Sequence, residues 1–244
     1  MELRILGPVG LWSDDTELPL RGTKQRTILA ALLLGGEWVI SDAKLGELLW
    51  GKNPPRTYQA QIYTYASRLR KHLDGTSAII RQGQGYLLRL GRAKFDFREF
   101  EELSQAGLSA LQAQQPRRAS DLLRASLDLW RGPTLTDVTE LLAENGRPRI
   151  EMARMEALEN RISADLILGR YRKLTSELVG LVNANPLREV FRAQLMIALY
   201  RSDRQAEAFA TYYQGCQLLK EELGVGPGPA LRKAHHEILT DDFD

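Results

Sequence analysis

The chain has 244 residues, 43% hydrophobic and 26% charged, enough for more than one buried core. Its lone cysteine, Cys216, excludes an intrachain disulfide, no run approaches the ~20 apolar residues of a membrane span, and the opening MELRILG is no signal peptide, so a cytoplasmic protein is expected. The net charge is only +2, yet Met1–Phe95 carries 14 Lys/Arg against 8 Asp/Glu and the remainder 19 against 23, an asymmetry that points to nucleic acid.

Leu3, Ile5, Val9, Leu11, Leu18 and Leu20 fall in short alternating segments broken by Gly7-Pro8 and Asp14-Asp15, which predicts a small antiparallel sheet. Thr23 is placed to cap a helix from Lys24 to Leu34, stopped by Gly35-Gly36. Ser41 is placed to cap a second helix holding Leu45, Leu48, Leu49 and Trp50, which ends at Gly51 with Pro54-Pro55 beyond. In a third, basic helix Ile62, Ala66, Leu69 and Leu73 recur at i, i+4, i+7 and i+11 as one apolar stripe. The opposite face holds Ala60, Thr64, Arg68 and Lys71, and no Asp or Glu lies between Arg56 and Leu73. A solvated helix without a partner normally mixes both signs, so this one suits a polyanion. Ile79–Arg81 and Tyr86–Leu88 then read as arms of a hairpin turning over Gln82–Gly85.

Sheet, three helices and a terminal hairpin predict an α+β winged helix-turn-helix domain over residues 1–94, whose third helix enters the major groove. Candidate base contacts are Gln59, Gln61, Tyr63, Thr64 and Arg68; candidate phosphate contacts are Lys24, Arg26, Arg56, Arg70 and Lys71. Arg81 and Gln84 lie on the wing, in reach of a minor groove. Winged helices also serve as protein-interaction modules, Arg56 has the alternative of pairing with an acid, and Tyr65 is expected to pack on the sheet. Lys24 is badly placed for the dipole of its own helix, which suggests an external anion or a neighbouring carboxylate. The three apolar stripes are expected to close a core without help from later helices.

From residue 95 to 244 the periodicity is helical, with helices expected at about 98–113, 117–130, 147–170, 171–184, 187–201, 204–221 and 228–239. The breaks fall at Pro116, Gly132-Pro133, Pro148, Pro186, Asp203 and the GVGPGP run. Tyr171–Val182 maps onto Gln205–Cys216 at an offset of 34, which places Leu174 over Ala208 and predicts tetratricopeptide-like helix pairs. Such a stack offers a curved protein-binding or self-association surface. No GxxxxGK, CxxC, HExxH or GxSxG is present, and His72, His235 and His236 do not converge, so neither an enzyme nor a metal or cofactor is expected. Cys216 is expected as a small buried hydrophobe and Trp130 as a core anchor. The alternative for the whole chain is a protein–protein adaptor built on the helical half.

KQRTILAALLL (24–34), ASRLRKHL (66–73) and GYLL (85–88) resemble an OmpR-type winged helix, and LDLWRGPTL (127–135), NPLREVFRAQLMIALYRSDRQAEAFATY (185–212) and LLKEELGVGPGPALRKAHHEIL (218–239) resemble the bacterial transcriptional activator domain. Together they resemble the Streptomyces antibiotic regulatory protein family, activators of secondary-metabolite gene clusters in actinobacteria. The resemblance implies a protein that binds direct repeats upstream of antibiotic-biosynthesis promoters, self-associates there as a dimer, and recruits RNA polymerase holoenzyme through contacts that include its sigma factor. It carries the groove-facing helix over to Gln59–Lys71. Tyr63 is bulkier than that family pattern leads one to expect, and Tyr213-Gln214-Gly215 replaces an Arg-rich segment, with Gly215 costing the helix about 1 kcal/mol relative to Ala. With no receiver or ATPase region in the sequence, control by aspartyl phosphorylation is not expected.

Overall fold

The computed structural model describes residues 1–73, 75 and 77–241. It contains two compact units, each built from two stretches of chain: Met1–Leu103 with Ala125–Met155, and Ser104–Arg124 with Glu156 onward.

In the first unit the order is β1 (Glu2–Arg4), β2 (Gly10–Ser13), β3 (Thr16–Leu18), α1 (Thr23–Leu34), β4 (Ile40–Ser41), α2 (Asp42–Trp50), α3 (Tyr58–Arg70), β5 (Ala78–Gln82), β6 (Gly85–Arg89) and β7 (Lys94–Phe95). One sheet runs β3-β2-β1-β7, antiparallel except for the parallel β1–β7 pair; the other runs β4-β6-β5 and carries the wing. The wing strands extend past the expected arms, so the turn shrinks to Gly83-Gln84. Ser41 caps α2 as its position predicts, its hydroxyl accepting the Lys44 N–H at 3.1 Å. Thr23 does not cap α1. Gly22 stands at that position, and the Thr23 carbonyl instead accepts the Thr27 hydroxyl at 2.9 Å.

Ile28, Leu29 and Leu32 of α1, Leu45, Leu48 and Leu49 of α2, and Ile62, Ala66 and Leu69 of α3 are all buried together. Each large aliphatic among them contributes about 1.5–3 kcal/mol of transfer free energy, so this cluster sets the angle of α3. The stripes meet as expected, but they do not close the core without later helices: Phe97, Phe100, Leu135, Val138 and Leu142 are buried in the same unit. Its polar complement comes from later in the chain. Asp96, the first residue of α4 (Asp96–Gln112), accepts the N–H of Ile5 at 2.9 Å and of Leu6 at 3.0 Å and pairs with Arg131. Asp137 accepts the Val9 N–H at 3.0 Å. Thr139 donates its N–H to the Thr27 hydroxyl at 2.9 Å and its own hydroxyl to the Leu48 carbonyl at 2.7 Å. Backbone groups left open by the sheet and by α2 are thereby satisfied.

The remaining helices are α5 (Pro116–Asp128), α6 (Glu140–Ile167), α7 (Tyr171–Ala184), α8 (Glu189–Tyr200), α9 (Gln205–Leu223) and α10 (Pro229–Thr240). Pro148, expected to mark a break, lies inside α6, which begins at Glu140 rather than near 147. An interior proline costs about 3 kcal/mol. Here Arg147 anchors the turn by donating to the carbonyls of Thr134 and Leu135, both at 3.1 Å, and Ile150 is fully buried. In the second unit the 34-residue offset holds, with Leu174 and Ala208 both buried at equivalent positions of α7 and α9. Cys216 is half-buried rather than buried. Asp165, wholly buried, gathers Ser120 and Arg124 of α5, Arg161 of α6 and Arg170, and Arg161 continues to Glu177 of α7.

Candidate nucleic-acid interface

The α3 stripe Ile62, Ala66 and Leu69 faces the core, which turns Gln59, Ala60, Tyr63, Thr64 and Arg68 to solvent; Tyr63 is 61% exposed. The start of the helix is seated by a close approach. Gly46, mid-helix in α2, lies under the Tyr58 ring, and a Cβ there would meet Tyr58 Cδ2 at 2.9 Å. No acidic residue and no capping side chain occupies the first turn of α3. Its amide end therefore carries no counter-charge of its own, a favourable setting for phosphate.

The predicted base-contact residues divide by what already engages them. Arg68 and Gln59 are exposed, and among the described residues neither has a hydrogen-bond or ion-pair partner. Thr64 spends its hydroxyl hydrogen on the Ala60 carbonyl at 2.9 Å, so it presents a methyl group and an acceptor. Gln61 is half-buried, with its amide on the Thr57 hydroxyl at 3.1 Å.

The predicted phosphate contacts divide more sharply. Arg56 and Lys71 are exposed, with no carboxylate partner among the described residues. Arg26 pairs with Asp137 at 3.1 Å, and Lys24 sits over the Trp50 ring at 4.5 Å. Arg70 donates its Nε to the Ile79 carbonyl at 2.8 Å and lies over Tyr86. Arg81 also lies over the Tyr86 ring, at 4.6 Å, and pairs bidentately with buried Asp42, both bonds at 2.6 Å. Two guanidinium groups thus lie against the Tyr86 ring, and the Arg70–Ile79 bond ties the wing to the C-terminal end of α3. Wing residue Gln84 is exposed at the turn. Asp42 is the residue sequence reasoning missed: the only visible signal was an acid next to the Ser41 cap, which reads as a favourable helix-dipole charge rather than an arginine anchor.

Among the described residues no group of three or more His, Cys, Asp or Glu is arranged to hold a metal ion. No helix among them is long and apolar enough to cross a membrane.

Residues 95–239 match the family described as the bacterial transcriptional activator domain. Over 98% of its length the chain is 41% identical to the regulatory protein AfsR of Streptomyces coelicolor, of which it spans 24%. Over 99% of its length it is 37% identical to the transcriptional regulator RedD of the same organism, covering 71% of that protein. The solved structure of Mycobacterium tuberculosis EmbR in complex with a low affinity phosphopeptide superposes at a TM-score of 0.92 and 31% identity, over all of this chain and 66% of that one.

Proposed function

This chain belongs to the bacterial transcriptional activator domain family, related to the Streptomyces antibiotic regulatory proteins, and we propose that it is a sequence-specific DNA-binding activator of transcription. The observation that carries the reading is the uncommitted, acid-free outer face of α3, held at a fixed angle by the three-helix core and by the Arg70–Ile79 bond. In this proposal Gln59, Gln61, Tyr63, Thr64 and Arg68 read base edges in the major groove, with Arg68 suited to a guanine and the Thr64 methyl to a thymine. Arg56 and Lys71 contact phosphate, and Gln84 serves the wing. Arg26, Arg70 and Arg81, engaged inside the chain, hold the reading head in shape.

Residues 1–94 form the DNA-binding part and 95–244 the activating part. Copies bound as a dimer to successive direct repeats upstream of antibiotic-biosynthesis promoters present the helical part to RNA polymerase holoenzyme and its sigma factor. An adaptor with no DNA affinity has no use for an acid-free face, which favours the activator reading.

Mobility shifts on the promoters flanking the gene test this. Preferred binding over random duplex is expected, with log affinity falling steeply against log salt at a slope of about −0.9 per phosphate contact. Salt-insensitive binding, or none above random DNA, contradicts the proposal.

A further inference from the structure

The second unit contains a buried arginine with no acid. Arg192 of α8 is 93% buried, its exposure being 7%, and no carboxylate lies within ion-pair distance of it among the described residues. Its partners are two distant carbonyls, Thr211 at 3.4 Å and Pro186 at 3.5 Å, which leave most of its five N–H donors unused. Burial pushes its pKa down, as befits a cation without a counter-ion.

Arg192 lines a cavity of about 640 Å³, within the usual range for ligand sites. The cavity is walled by Val179 and Val182 of α7, Leu195 and Leu199 of α8 and Leu218 of α9. Val179 of the lining is 45% exposed. Arg204 and Glu207 also line the cavity, but they pair with each other bidentately at 2.6 and 2.7 Å, which leaves Arg192 as the lining cation without an acid. Gly215 is what admits the arginine: a Cβ there would lie 2.4 Å from Arg192 Cδ and 2.9 Å from its Nε. The glycine that departs from the family's helix thus has a local purpose.

We propose that the groove between α7 and α9 is a peptide-binding site in which Arg192 receives one aspartate or glutamate carboxylate of a partner segment whose flanking residues are apolar. Charge complementarity and the apolar walls choose this occupant. A guanidinium without a counter-ion beside apolar walls gains most from an anion that arrives with its own hydrophobic neighbours. Helices α7 and α9 occupy equivalent positions of successive helix pairs, and grooves between such pairs are surfaces that suit extended segments. The proposal does not rest on DNA binding.

The full chain is screened against a bead library of terminally capped decapeptides that includes phosphoserine among its residues. Expected are binders enriched in one aspartate or glutamate between apolar residues. Changing that acid to its amide weakens the best binder at least tenfold by fluorescence anisotropy. Arg192→Met removes the difference between acid and amide peptides. Val179→Glu, at an exposed position that leaves folding intact, lowers affinity for the acidic peptide about tenfold and decides the matter if Arg192→Met does not fold. A library without binders, binders without an acid preference, a preference unchanged in folded Arg192→Met, or selection of phosphoserine over both acids overturns the assignment.

Discussion

Replacing Arg68 with alanine removes a charged group from the open face of α3 without touching the core. If it reads a guanine edge, specific affinity falls by about 1–3 kcal/mol and preference at one base position relaxes, as competition shifts with single-base variants measure. Arg81→Ala is expected to act differently, since it strips buried Asp42 of its two hydrogen bonds. The cost is about 1–3 kcal/mol of stability for an acceptor left unsatisfied, read as a lower urea midpoint. The exposed position of Arg68 was legible in the sequence because Ile62, Ala66 and Leu69 fix the helix phase. The engagement of Arg70 and Arg81 was not, because a sequence displays a charge but not its partner. The Ile79 carbonyl lies 9 residues away and Asp42 lies 39 away.

At the scale of elements, α5, α6 and α7 share one electrostatic knot. Burial pushes the Asp165 carboxyl up, but the hydrogen bonds from Ser120, Arg170 and Arg161 and the charge of Arg124 outweigh it and hold the group below its ordinary 3.8. A carboxyl depressed in the folded state contributes stability that is fully present above its unfolded pKa and is lost as pH falls through the lower, folded one. Thermal melts should therefore show an acid-induced loss of stability below pH 3.8 that is flattened in Asp165→Asn. At neutral pH that variant should lose about 3–5 kcal/mol, because Arg161, 4% exposed, is left with an incomplete set of acids. An Asn variant with an unchanged acid limb would assign the effect to other carboxylates. Helical periodicity revealed most of these elements, but not the first turns of α6. Local rules stop a helix at Pro148, whereas Arg147 reaching the Thr134 and Leu135 carbonyls is a tertiary effect that no local window contains.

For the whole molecule, the onset of helical periodicity at Phe95 was visible in the sequence, whereas the return of residues 125–155 to the first unit was not. That return buries Leu135, Val138, Leu142 and Ile150 and adds the polar contacts of Asp137 and Thr139, with Asp96 just past the last strand of the sheet. A fragment ending at residue 94 keeps the three helix stripes but loses the buried Phe97, Phe100, Leu135 and Leu142 of the same unit, and it exposes or orphans the N–H groups of Ile5, Leu6 and Val9. At about 1–3 kcal/mol for each buried group left unsatisfied, the loss is comparable to the ~5–15 kcal/mol that holds a typical domain together. The fragment is therefore expected to unfold at markedly lower urea than the first unit does in the full chain. It should bind a single repeat weakly and fail to activate transcription. Circular dichroism and a half-site mobility shift measure both. A fragment that melts like the full chain would mean that water satisfies those groups as well as Asp96 and Asp137 do. The helical half would then serve activation alone, with no part in holding the reading head together.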